Sequence, residues 1–206
     1  MTESKRQLGL PLSSRGGRRP GAGRKPRGVE PELPHVARPR LSRHHPVHVT
    51  LRLRPHVWSL RSRRGMAVVE AALRGAAGRP DFRVTHFSAQ GNHVHLVVEA
   101  GGTAALTAGM KALSIRLAKG MNRLMETRGP VLADRYHAHV LRTPAEVRRA
   151  VTYVTGNFAS HARRRGDPLR PGLPDPFGSG ARADLVARPA SWLGRQGVHG
   201  SGTIHP

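Results

Sequence analysis

Gly91-Asn92-His93-Val94-His95-Leu96-Val97-Val98 alternates with a period of two. Read as a β-strand, it sends Val94, Leu96 and Val98 to one face and His93, His95 and Val97 to the other. The first set seats a strand on an apolar core. The second puts two imidazoles side by side on an open face, within reach of one ion. Gln90-Gly91 just before it reads as a tight hairpin turn with glycine at positive φ, which makes this strand the second arm of a hairpin.

Working outward, Phe82 to Ala89 is the first arm, with weaker alternation. Pro46 to Pro55 alternates cleanly, Val47, Val49, Leu51 and Leu53 against His48, Thr50, Arg52 and Arg54, which predicts a half-buried strand whose polar face meets an anion. Between these strands, Arg63 to Ala77 has the helical stripe Met66, Val69, Ala72 and Leu73, ended by Gly78 and Pro80. Thr103 to Thr127 is a longer helix with Leu106, Met110, Leu113, Leu117, Met121 and Leu124 on one face, stopped at Gly129-Pro130. A strand at about Arg135 to Arg142 puts Tyr136, Ala138 and Val140 on one side and His137, His139 and Leu141 on the other. Thr143 and Pro144 then open a helix as N-cap and first-turn proline, running to about Arg165 on the stripe Val147, Ala150, Val151, Val154 and Phe158. The order strand, helix, strand, strand, helix, strand is the split βαβ, or ferredoxin-like, α+β unit: a four-stranded antiparallel sheet with two helices on one face. The extra C-terminal helix is left to find a place, and the sheet's other face is where His93 and His95 point.

The chain has 206 residues and a formal net charge of +23, from 35 Lys and Arg against 12 Asp and Glu. Such an excess implies a polyanionic partner, nucleic acid before anionic membrane. Arg, Gly, Ala and Pro are also the residues that a GC-rich genome favours, which discounts part of the arginine signal. No apolar run has transmembrane length and no signal-peptide pattern is present, so a membrane role is disfavoured and a cytoplasmic protein, at the nucleoid when bound to DNA, is expected. With no cysteine, disulfides and thiolate metal sites are excluded. Residues 1–45 carry eleven basic residues against three acidic, a net +8, with little apolar content. They read as a disordered basic arm in which Arg18, Arg19, Arg24 and Lys25 contact phosphates. Residues 46–165 read as the one folded domain, and 166–206, rich in Pro, Gly and Ser, as a flexible tail. In the domain, Arg52, Arg54, Arg148 and Arg149 are the nucleic-acid-binding candidates.

A His-x-His strand is by itself a weak signal, since alternating histidines also make an ordinary polar face. His137-Ala138-His139 repeats the spacing in the same chain and reads as substrate-facing or incidental. The last helix adds more. Tyr153 and Asn157 stand at i and i+4, one above the other, about 100° around the wheel from the Val147, Val151 and Val154 stripe. They flank the buried seam rather than join it. If that seam packs on the open sheet face, Tyr153 stands beside the histidine pair and Asn157 is placed to supply a third ligand. A tyrosine packing its ring at a helix–sheet border remains the plainer alternative.

Together these residues resemble a family, the single-tyrosine HUH transposases of the insertion-sequence-200-like group, and especially their REP-associated relatives. The resemblance covers about residues 45 to 165. It rests on Gly91 to Val98, on a long helix containing Lys111 and Asn122, on Tyr136-His137 to Leu141-Arg142, and on Tyr153-Val154-Thr155-Gly156-Asn157. Gly91 stands where relatives usually have proline, and Phe158 where Asn-Pro is usual; both flank the chemistry. The resemblance implies that His93, His95 and Asn157 bind a divalent metal, Mg²⁺ or Mn²⁺, and that Tyr153 is the nucleophile. It also implies a 5′-phosphotyrosine and a free 3′-OH on single-stranded or hairpin DNA. The chain would be a monomer or homodimer, with the tyrosine serving its own subunit or a partner's. The expected function is that of a metal-dependent single-stranded DNA endonuclease and strand transferase. The alternatives are a decayed or domesticated nucleic-acid-binding protein of the same fold, or a different enzyme on it. RNA-binding sheets of this topology stack bases on exposed aromatics, and here the open-face positions are His48, Thr50, Arg52, Arg54, His93 and His95.

Overall fold

The structure is a computed structural model that describes residues 40–165 and 174–197, and of residues 158–165 the backbone only. Its elements are β1 (Val47–Arg52), α1 (Arg63–Ala77), β2 (Phe82–Ala89), β3 (His93–Ala100), α2 (Thr103–Met125), β4 (His137–Val140) and α3 (Pro144–Arg165). A 3-10 turn (Ala183–Leu185) and α4 (Trp192–Gln196) follow. The sheet order is β2-β3-β1-β4 with every neighbouring pair antiparallel. This is the expected ferredoxin-like topology, with the two helices that follow β1 and β3 sharing one core.

That core is built from the alternation already visible in the chain. Val47, Val49 and Leu51 of β1 and Val94, Leu96 and Val98 of β3 are buried against Met66, Val69 and Leu73 of α1 and Leu106, Met110, Leu113, Leu117 and Met121 of α2. Ser62 caps α1 by accepting from the Gly65 N–H. α2 ends at Met125, earlier than expected, because Glu126 turns left-handed at φ 56° and the Thr127 N–H bonds the Asn122 carbonyl. α3 opens with a capping box: Thr143 Oγ1 accepts from the Glu146 N–H while the Glu146 carboxylate accepts from the Arg142 and Thr143 N–H groups.

β2 explains its own weak alternation. Val84 pairs with Val98, but His86 pairs with Val97, so Thr85 is an extra residue in a β-bulge. The bulge lets Phe82 and Val84 before it, and Phe87 and Ala89 after it, all face the core. The β2–β3 connection differs from expectation. Among the described residues only Glu126 and Gly129 have a φ in the left-handed range, so Gly91 does not supply a left-handed turn. Instead the Gln90 N–H bonds the His93 carbonyl, and the Gly91 and Asn92 carbonyls accept from the Leu60 and Leu53 N–H groups. The loop is held by the segment after β1 rather than by glycine geometry.

Both expected tails extend further into the fold than the sequence indicated. Leu41 is buried and its N–H bonds Thr103 Oγ1, so residues 40–45 belong with the folded unit rather than the arm. Residues 174–197, placed by sequence in a flexible tail, are docked along the outer edge of β2. The Ala89 N–H bonds the Phe177 carbonyl, the Ser179 N–H the Phe87 carbonyl, and the Ala187 N–H the Val84 carbonyl. Asp175 receives both arms of the Arg61 guanidinium at 2.9 Å, and that guanidinium lies over the Phe177 ring. Buried Glu99 accepts from the Ala190 and Ser191 N–H groups and from Ser191 Oγ, fixing the start of α4. The sequence signal was faint because the segment is held mainly by backbone hydrogen bonds and ion pairs, not by an apolar period.

Two ion pairs on this segment should differ sharply. The Arg61 and Asp175 side chains are 15% and 5% exposed, those of Arg74 and Asp184 58% and 67%. Asp175→Ala should cost about 3–5 kcal/mol, because it removes the carboxylate from a guanidinium largely shielded from water. Asp184→Ala should cost less than about 1 kcal/mol. Urea denaturation checks both, and equal costs would show that the segment is not anchored through Asp175.

Candidate active site

The face of the sheet opposite α1 and α2 is covered in part by α3. Val147, Val151 and Val154 pack with Val97 of β3, Leu141 and Leu193 in a second, smaller apolar cluster. Around that seam the strand register lines up the polar side chains in rows. His93 lies across from Arg52; His95 lies between Ser88 and Thr50, with His137 beyond; Val97 lies between His86 and His48, with His139 beyond.

α3 brings Tyr153 onto this face. Its ring meets the His95 ring edge-on at 5.1 Å between centroids and the His48 ring at 5.8 Å, and it is 50% exposed. His93 and His95 are perpendicular at 4.7 Å. His95 is buried, with Nδ1 3.2 Å from Thr50 Oγ1 and 3.3 Å from His48 Nε2. His93 Nδ1 is 2.8 Å from Asn92 Oδ1, an acceptor, a contact that favours a proton on this nitrogen. Burial holds the His48 pKa below the ordinary histidine value, helped by the nearby His139 and His137. A neutral His48 can accept a hydrogen bond.

Asn157 corrects the helical-wheel reading. It is 4% exposed, so it lies within the seam rather than beside it, one turn beyond half-exposed Tyr153. Its Nδ2 is buried without a hydrogen-bond partner among the described residues. Turning the amide over would present Oδ1 there, which a cation would satisfy. Among the described residues no three His, Cys, Asp or Glu side chains gather as a metal cluster, so a third protein ligand to any ion on the His93 and His95 pair would be of another type, and the Asn157 amide is one candidate. Two imidazoles and an amide oxygen fit a divalent cation that keeps water or substrate oxygens in its other positions.

The remaining candidates are dispersed. Arg52 is exposed opposite His93, and Arg54 is exposed with Nε donating to the Leu132 carbonyl. Arg148 and Arg149 are exposed on α3, and His137 and His139 are exposed on β4. Arg18, Arg19, Arg24 and Lys25 lie outside the described residues. Asn122, quoted for the family resemblance, donates from Nδ2 to the Gly129 carbonyl and shapes the end of α2. Sequence reasoning gave no role to Asn92, or to buried Ser88 and Gln90, which bond each other at 2.7 Å beside the pair. Their only signal was their position in or next to the histidine hairpin.

The fold is similar to that of a REP-associated tyrosine transposase bound to a REP hairpin, with a TM-score of 0.54 and 14% identity over 73% of this chain and 87% of that one. Bacterial tRNA(His) guanylyltransferase-like proteins in complex with GTP and with ATP give TM-scores of 0.43 and 0.44 at 9% identity. They cover 63% and 66% of this chain and 72% and 68% of theirs. No family model and no curated protein matches the sequence. The chain therefore shares the fold of that transposase. No helix among the described residues is long and apolar enough to cross a membrane.

His86, in the row with Val97 and His48, gives this face a pH dependence. Burial pushes its pKa down to about 4, against a smaller opposing effect from Glu99. Protonation therefore favours the unfolded chain. The contribution is complete above about pH 6.5 and lost as pH falls toward 4, about 3 kcal/mol in all. His86→Gln should remove that part of the acid sensitivity, measured as the difference between denaturation free energies at pH 7 and pH 4. An unchanged difference would mean that His86 is not held neutral.

Proposed function

We propose that this chain is a metal-dependent single-stranded DNA endonuclease and strand transferase in which Tyr153 is the nucleophile and His93, His95 and Asn157 hold the metal. The observation that carries the reading is Tyr153 standing edge-on to His95 while half exposed to solvent. Half exposure leaves the ring accessible to a substrate while it packs on the histidines. The fold shared with a tyrosine transposase supports the same reading.

A divalent cation, Mg²⁺ or Mn²⁺, would polarise a non-bridging phosphate oxygen and offset the charge that develops there. The chain's own groups do the rest. Tyr153 Oη attacks phosphorus in line; the Oη–P bond forms, the P–O3′ bond breaks, the phenol proton is lost and the leaving 3′-oxygen gains one. The DNA end stays on the protein as a 5′-phosphotyrosine, and attack by a 3′-OH reverses the step. Neutral His48 beside His95 adds no positive charge to compete with the ion. Exposed Arg52 beside His93 suits a flanking phosphate. Tyr153 and His95 meet within one chain, which supports a tyrosine serving its own subunit.

Incubation with labelled single-stranded hairpin DNA and Mn²⁺ should give a covalent protein–DNA adduct. Tyr153→Phe should form none while still binding DNA, and His93→Ala or His95→Ala should lose metal-dependent cleavage. Mixing Tyr153→Phe with His95→Ala should not restore the adduct; restoration would place the tyrosine in a partner's site. An adduct from Tyr153→Phe at the wild-type rate would remove Tyr153 from the mechanism.

The arm is tested separately. Residues 1–39 carry nine basic residues and three acidic. Their deletion should weaken DNA binding and flatten the slope of log K against log salt, by about 0.7 for each single-strand phosphate that the arm neutralises. Cleavage at saturating DNA should persist. An unchanged slope would place the binding charge in the folded unit.

A further inference from the structure

We propose that Thr50 and His48 are positioning residues that hold His95 in its Nδ1–H tautomer and so present Nε2 as its ligating nitrogen. The inference rests on the reading of His95 as a metal ligand given above. Thr50 Oγ1 and His48 Nε2 lie 3.2 and 3.3 Å from His95 Nδ1. Those two contacts engage Nδ1 within the sheet, and a ring whose Nδ1 is held by hydrogen bonds offers Nε2 to an ion. A neutral ring that ligates through Nε2 carries its proton on Nδ1. That proton faces a hydroxyl oxygen and an imidazole nitrogen, both able to accept it.

The arrangement is built into the sheet. Thr50 is the direct cross-strand partner of His95, and His48 sits two residues along β1 on the same face. The His48 ring stacks on His95 with centroids 5.3 Å apart and planes 27° apart, and its edge contact with Tyr153 ties the nucleophile's ring to the same stack. His93 is fixed differently, by the neighbouring Asn92. Each histidine of the pair therefore has its own Nδ1 partner, one local in sequence and one from the adjacent strand. Removing partners of this kind commonly weakens metal binding about 10–100-fold.

The test uses the full chain, first without metal and then with Mn²⁺ alone. Ring ¹⁵N NMR reports the His95 tautomer, titration calorimetry the Mn²⁺ affinity, and a thermal melt the fold. The wild type should show His95 mainly as Nδ1–H. The double variant Thr50→Val with His48→Phe keeps shape and stacking but removes both acceptors. It should show a mixed tautomer and bind Mn²⁺ about 10–100-fold more weakly. Thr50→Ser, which keeps the oxygen, should behave as wild type, and so should His139→Ala on the same face. A double variant that melts like wild type yet keeps the Nδ1–H form, or keeps its Mn²⁺ affinity, overturns the proposal. If the double variant fails to fold, Thr50→Val alone decides by the same readouts. A wild-type chain without measurable Mn²⁺ affinity would defeat the metal reading itself. The tautomer in the metal-free protein would still decide whether Thr50 and His48 set it.

Discussion

The packing of Val147, Val151 and Val154 onto Val97 is the constraint on which the candidate site depends. β3 is a strand with an apolar residue on its otherwise polar face, and α3 has a matching stripe. Burying each valine is worth about 1.5–3 kcal/mol, enough to hold a helix on a face that is otherwise histidine and threonine. Once the seam closes, helix geometry fixes the direction of Tyr153 and Asn157, and strand geometry has already fixed the histidines. Neither half of the site needs a loop to position it, which is the condition for holding reacting groups closely.

The sheet was legible because its code is simple. β1 alternates without interruption, β3 breaks its alternation only at Val97, and the helices that follow β1 and β3 repeat at three and four. Each place where the sequence misled has a local physical cause. At Thr85 a bulge changes which residues face inward, and no composition signal marks a bulge in a strand of mixed residues. At Gly91 the glycine suggested a left-handed turn, whereas backbone bonds from Leu53 and Leu60 set the loop. At Asn157 the wheel treated the helix as touching one neighbour, but the seam extends round it one turn past Tyr153. The position of Tyr153 was readable because Val151 and Val154 bracket it; the hydrogen bonds between strands that order His95 were not, since register cannot be counted from one strand alone.

Histidine is used here in two kinds of environment. His137 and His139 are exposed, whereas His48, His86 and His95 are partly or fully buried, and burial holds His48 and His86 neutral. A row of cationic rings on one sheet face would repel both itself and any metal ion. Desolvation removes that conflict without an acidic partner, which suits a chain with only 12 Asp and Glu. The carboxylates that are buried serve elsewhere: Asp175 and Glu99 fasten the C-terminal segment.

That segment also changes how the sheet meets its surroundings. By bonding to the outer edge of β2, residues 177–187 seal one rim that would otherwise offer unpaired N–H and C=O groups to any extended chain. The other rim, β4, is four residues long, and its outward side chains on the open face are His137 and His139. A ladder added there would be short and would have to pass over imidazoles rather than an apolar strip. The fold thus carries its own guard against edge-to-edge association, assembled from one strapped margin and one margin too brief and too polar to template another strand.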